Sequence, residues 1–269
     1  MGVTEHISKA FEADLDTTRT RVLQMGGLVE AQILAAIDAF GSGDAALIAQ
    51  VVENERRVNG YEVAIDGACN HIVVKRQPAA SDLRLIMGIS KIVTDLERIG
   101  DEAEKVARMA KAIHEHGGQH AQRFPAVRHA AQIAVSMLRR ALDAFARLDA
   151  ASAAEVLKED TAIDQEFTSV LRQALDSFAR LDAAAAGEVL KEDTAIDQEF
   201  TSVLRQLITY MMEDPRTITP ALEIVWVAKA IERIGDHAKN LAEQVIYIVK
   251  GTDVRHTAFA DVERELAKE

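Results

Sequence analysis

The sequence predicts an all-α protein of two pseudo-symmetric antiparallel helix bundles: a three-helix first bundle, then a second bundle expanded to four long helices by a 33-residue tandem duplication (174 − 141). Three observations predict it. Apolar residues recur at three-to-four spacing through most of the 269 residues, the period of helices with one buried face, and only 4 Pro and 14 Gly interrupt them. The segment Leu96-Glu97-Arg98-Ile99-Gly100-Asp101 returns as Ile231-Glu232-Arg233-Ile234-Gly235-Asp236 at a constant offset of 135 (232 − 97), so the chain divides into two related halves. Aromatic residues are scarce at 4%, which leaves Leu, Ile, Val, Ala and Met to fill a core of closely packed helices.

The first helix follows from Ile7, Phe11, Leu15, Val22, Met25, Leu28, Ile33, Ala36 and Phe40, and ends at the turn Gly41-Ser42-Gly43-Asp44. The second begins near Ala45, runs through Leu47, Val51, Val58, Ile65, Ile72 and Val73, and stops at Gln77-Pro78, where proline disfavours further helix. The third opens after Pro78 with Ser81 as its expected cap and continues to about His116. Its buried stripe is Leu85, Ile89, Ile92, Leu96, Ile99 and Ala103, with Thr94, Glu97, Asp101 and Glu104 on an accessible band beside it. Three long helices joined by short turns bury their stripes against one another, which gives residues 1–118 as the first domain.

Gly117-Gly118 and Pro125 mark a linker, and residues 119–269 form the second domain. Val127 to Leu148 makes its first helix. Residues 141–173 then recur as 174–206, differing only at Ala144/Ser177, Ser152/Ala185 and Ala154/Gly187, which is a tandem duplication rather than a diverged solenoid. Each copy holds one chain reversal, at Leu148-Asp149-Ala150 and Leu181-Asp182-Ala183, so the duplication adds one helix, expected at Ser152–Arg180. A turn through Pro215 and Pro220 precedes the last helix, whose stripe is Ile224, Ala228, Ile231, Gly235, Ala238, Leu241, Val245 and Ile248. Lys229, Glu232, Asp236, Asn240 and Glu243 occupy the adjacent band, and Gly251 ends the helix.

Composition narrows the function. Against 31 Lys and Arg stand 43 Asp and Glu, and a net charge of −12 repels phosphate backbones and disfavours direct nucleic-acid binding. Cys69 is the single cysteine, so no internal disulfide forms, and with no leader pattern a reducing cytoplasm is the expected compartment. Cys69, Trp226 and Met211-Met212 are expected as packing residues, and no apolar run is expected to approach membrane-spanning length.

The candidate site is acidic. Glu97 with Asp101, and Glu232 with Asp236, stand one turn apart on a helix face, an arrangement that costs about 0.2–0.5 kcal/mol by repulsion. Either pair alone could be a solvated face, with Lys105 neutralising Asp101. Two copies with the same Arg-Ile-Gly filling point to a cationic partner, and the expected site is metal: Glu97, Asp101, Glu232 and Asp236. Carboxylates suit Mg or Mn and also Fe, whereas the absence of clustered Cys or His argues against a structural zinc site. The di-iron bundle pattern needs inward Glu-x-x-His pairs, which the sequence lacks. His237 projects about 100° round the helix from Asp236 and is a packing or surface residue rather than a ligand. Asp160/Asp164, Asp193/Asp197 and Glu55/Asn59 are weaker candidates that lend oxygens from neighbouring faces.

With these elements in hand, the chain resembles the PhoU family. The resemblance is carried by both acidic signatures, by Lys75-Arg76-Gln77-Pro78-Ala79-Ala80-Ser81-Asp82-Leu83-Arg84, by Met25-Gly26-Gly27-Leu28-Val29-Glu30, and by Leu207-Ile208-Thr209-Tyr210-Met211-Met212-Glu213-Asp214. It implies two three-helix bundles about a pseudo-twofold, homodimerisation and no catalytic activity. The implied role is cytoplasmic negative regulation of the phosphate-starvation response through the phosphate-specific ABC transporter and a sensor histidine kinase, with the membrane met only through those partners. It also implies metal (Mg, Mn, Fe or Zn) at Glu97, Asp101, Glu232 and Asp236. The duplication departs from the family pattern. A carboxylate-bridged metalloenzyme and a metal-storing bundle are the alternatives the residues leave open.

Overall fold

The computed structural model describes residues 2–78, 80–115, 125–157, 218–255, 257, 262 and 264, and every element in them is an α-helix. These are α1 (Gly2–Ser42), α2 (Ala45–Arg76), α3 (Ala80–Glu115), α4 (Pro125–Arg147) and α5 (Ile218–Lys250), with a helical segment at 150–157 after α4.

Local chemistry sets the helix ends. Asp44 caps α2, its Oδ1 accepting from the Ala46 N–H at 2.8 Å. At the other end Gln77 adopts a left-handed conformation (φ 49°) and donates its backbone N–H to Val73 at 3.2 Å, immediately before Pro78. Leu148 is also left-handed (φ 51°), and Asp149 then accepts from the Ala151 and Ser152 N–H groups at 3.0 and 3.1 Å, which makes the expected reversal. The Ser152 hydroxyl, which donates to Asp149 Oδ2 at 2.6 Å, and then these backbone bonds hold the Asp149 carboxyl below its usual range.

Two helix starts correct the expectation. α3 begins at Ala80, so Ser81 lies inside the first turn and is not its cap. α5 is described from Ile218, so Pro220 is part of the helix and not of the turn before it.

α1, α2 and α3 pack pairwise on one another, and α3 also lies along α5, which packs on α4; α4 returns to touch α1. α3 and α5 run antiparallel, since Gly88 meets Ile248, Asp95 meets Asn240, and Glu102 meets Arg233. A Cβ at Gly88 would stand 2.5 Å from the Ile248 side chain, so a glycine there sets how closely the two helices approach. The expected stripes on α3 and α5 are buried, and one apolar cluster runs through all five helices.

Three side-chain and composition expectations change. Trp226 is 61% exposed because it lies on the side of α5 away from Ile224 and Ile231. Val73 is on the outer face of α2, 38% exposed. One run, within Lys9–Ser42 of α1, is long and apolar enough to cross a membrane by composition, yet 56% of that window is buried inside the protein. The expected helix Ser152–Arg180, Met211-Met212 and the acid pairs of the repeat fall wholly or largely outside the described residues.

Leu96→Ala removes a fully buried side chain at the centre of α3 and should cost about 2–5 kcal/mol in urea unfolding. Val63→Ala, at a position 73% exposed, should change stability by no more than about 0.5 kcal/mol.

Candidate functional site

Glu97 and Asp101 stand half-buried on α3, on the side that faces α2. There the acidic pair becomes a groove. Glu55 of α2 is buried, 5% exposed, with Glu97, Asp101 and Glu104 near enough to repel it. The Gln32 side-chain amide of α1 donates to Glu55 Oε2 at 2.7 Å and to the Gly100 carbonyl at 3.0 Å, tying three helices at one point. A Cβ on Gly100 would come within 2.7 Å of that same Oε2, so the glycine in the signature makes room for the Glu55 carboxylate. Glu55 Oε1 is buried and makes no hydrogen bond.

This crowding shows in the acidities. Burial pushes the Glu55 carboxyl up to about 7; the Gln32 hydrogen bond opposes the rise, and repulsion from Asp101, Glu104 and Glu97 adds to it. Glu97 is raised by burial, then by Asp101 and Glu62, and Glu62 is raised by burial, then by Asp66 and Asp101. The donors are the hard oxygens that Mg, Mn or Fe take, and the unpartnered Glu55 Oε1 is a buried acceptor that a proton or a cation would satisfy. Among the described residues, however, no three His, Cys, Asp or Glu side chains converge closely enough to hold a metal ion as they stand.

The second signature sits differently. Glu232 pairs with Lys229 one turn away, at 2.6 Å from Oε2. Arg233 reaches across to Glu102 of α3 at 2.9 Å, and Lys105 shares that carboxylate at 2.9 Å rather than neutralising Asp101. Asp236 lines a cavity between α3 and α5. Beside it, buried Asp95 accepts from Asn240 at 3.2 Å and pairs with His237 Nδ1 at 2.9 Å. His237 is therefore a packing histidine with a polar tether. No described atom stands within 4 Å of a Cβ built on Gly235, so the same glycine does different work in the two halves.

Sequence reasoning treated Glu55 as a lesser acid and passed over Gln32, Asp95 and Glu102. A signal existed for the last two: seven residues apart, they fall on the side of α3 that carries Leu96, Ile99 and Ala103, and charges on an apolar face need partners. Gln32, on another helix and 68 positions from Gly100, left no local signal.

A carboxyl whose folded pKa lies near 7 against 4.5 unfolded favours folding below pH 4.5, and that contribution is lost as pH rises through about 7. Glu55→Gln should therefore raise Tm at pH 7.5 relative to the parent and flatten the decline between pH 4.5 and 7, measured by circular dichroism.

Comparison with known proteins follows the same lines. A family model described as PhoU domain matches residues 22–110, 127–176 and 166–245. The phosphate-specific transport system accessory protein PhoU homolog of Pseudomonas aeruginosa is 43% identical over 98% of this chain and 95% of its own length. The phosphate-specific transport system accessory protein PhoU of Escherichia coli is 40% identical over 99% and 96%. The crystal structure of PhoU from P. aeruginosa superposes with a TM-score of 0.70 at 42% identity, covering 90% of this chain and all of that one. That of the phosphate transport system regulatory protein PhoU from Streptococcus pneumoniae, 21% identical with a TM-score of 0.69, shares the fold. By its matched domains, its near-full-length relatives and its helical fold, this chain belongs to the PhoU family.

Proposed function

We propose that this protein is a non-enzymatic regulator of phosphate uptake that restrains the phosphate-starvation response when phosphate is plentiful. It does so from the cytoplasm, as a homodimer, by docking helix faces onto the phosphate-specific ABC transporter and its sensor histidine kinase. The observation that carries this reading is the match, over 99% of the chain, to a protein named for the phosphate-specific transport system.

Metal belongs to the same proposal. The ligands are Glu97 and Asp101 on α3, and Glu232 and Asp236 on α5. The α3 pair is the better placed, because Glu55, Glu62 and Glu97 are all held above the usual carboxylate range by burial and mutual repulsion, which a cation would relieve. The α5 pair has to release Glu232 from Lys229 first. A bound divalent cation would supply charge neutralisation between helix faces, with the carboxylates as its holders.

Two measurements test this. In a strain lacking the gene, a phosphate-starvation reporter should rise several-fold in phosphate-rich medium, and unchanged repression would overturn the regulatory reading. Replacing Glu97, Asp101, Glu232 and Asp236 together by Ala should strip the purified protein of metal measured by mass spectrometry while leaving its helical circular dichroism intact. Equal metal content in parent and variant would overturn the assignment.

A further inference from the structure

The cavity of about 740 Å³ between α3 and α5 reverses the charge of the molecule around it. Five cationic side chains line it, Lys91, Arg98, Arg233, Lys239 and Arg255, against three carboxylates, in a chain whose net charge is −12. Asp95, one of the three, is already engaged by His237 and Asn240. Arg233 and Arg255 are held by Glu102 and Asp253, neither of which lines the cavity, so their guanidinium groups are positioned without their partners filling the space.

Broken pseudo-symmetry explains Arg98. At the 135-residue offset, Arg98 corresponds to Arg233 and Glu102 to His237. Arg233 finds Glu102 across the helix pair at 2.9 Å, but the position that would answer Arg98 carries His237, which turns to Asp95 instead. Arg98 is exposed, lines the cavity and makes no direct ion pair among the described residues. On its own helix Lys91 stands seven residues earlier, hence on the same side, with its ammonium 5.5 Å from the Tyr247 ring centre.

A second, independent observation favours an organic ligand over a bare oxyanion. Gln244 lines the cavity, is 4% exposed, and its Oε1 has no hydrogen-bond partner. An inorganic phosphate dianion brings that acceptor a single P–OH, whereas the base and sugar of a nucleotide bring several hydroxyl and amino donors. Leu157 and Val262, buried at 4% and 0%, give the same cavity an apolar wall. The volume lies within the roughly 300–1,000 Å³ of small-molecule sites.

We propose that this cavity binds a nucleotide: Arg98, Lys91 and Arg255 take the phosphate groups, Gln244 accepts from the base or sugar, and Leu157 and Val262 cover the apolar face. Guanidinium forks match phosphate oxygens in pairs, so Arg98 contributes more than an equivalent point charge. The site is separate from the acidic groove between α2 and α3, although Asp236 of the proposed α5 metal pair lines it, and its occupancy does not depend on the regulatory role proposed above.

The test is calorimetric titration of the full-length protein with ATP, ADP, AMP, pyrophosphate and inorganic phosphate. At least one nucleotide should saturate below about 1 mM. Its affinity should fall tenfold or more in Lys91→Ala/Arg98→Ala, and less in Arg98→Lys. Gln244→Met should weaken the nucleotide while leaving pyrophosphate unchanged. Circular dichroism confirms that each variant is folded. Absence of saturable nucleotide binding, or equal affinity in folded Lys91→Ala/Arg98→Ala, would overturn the site. Pyrophosphate binding as tightly as the best nucleotide would overturn the organic ligand.

Discussion

The antiparallel packing of α3 on α5 is the constraint on which the described structure depends. α3 is common to the contacts with α1, α2 and α5, so whatever holds it against α5 also joins the first half of the chain to the second. Apolar burial along both stripes drives the approach, at roughly 25 cal/mol per Å² removed from water. That force has no direction and would tolerate a slide of one turn. Register comes from polar contacts set into the seam: Asp95 with His237 and Asn240, and Glu102 with Arg233.

The surroundings of these contacts decide their worth. Arg128 with Asp38 and Arg56 with Glu53 are more than half exposed on both sides, and pairs of that kind contribute about 0–1 kcal/mol. Glu102, 4% exposed at its side chain, has been taken out of water, and losing its partners would leave an uncompensated buried charge, a cost of about 3–5 kcal/mol. The seam pairs therefore act less as glue than as a penalty on every other alignment of the two helices. The same logic holds Gln32, Glu55 and Gly100 together between α1, α2 and α3, where a displaced helix would orphan a buried amide and a buried carboxyl.

The chain carries its acidic signature twice, in divergent settings. On α3 the signature faces other carboxylates, and its glycine is required by the neighbour that presses on it. On α5 the glutamate pairs with Lys229, the arginine crosses to α3, and the aspartate lines a cavity with a cationic majority. A hexapeptide that differs only at Leu96/Ile231 thus yields an acidic groove in one half and part of a mixed-charge cavity in the other, because side chains contributed by other helices set the local field.

Among the described residues, the sequence by itself determined the helices, their order and most of their buried faces. A 3.6-residue period over 23 to 41 positions leaves little freedom, and Asp44, Gln77-Pro78, Leu148-Asp149 and Gly251 stop or start helices through local backbone chemistry. It also determined the family, since the motifs that identify it are contiguous. Only the tertiary structure decided what each polar residue meets. The helical period of α3 places Glu97 and Asp101 beside the apolar stripe, but that Glu55 faces them, that Gln32 reaches in from α1, and that Arg98 lacks the carboxylate its counterpart has are facts about neighbouring helices. Helical periodicity says how residues stand around one axis, and it carries no information about the angle, register or identity of the helix across the groove.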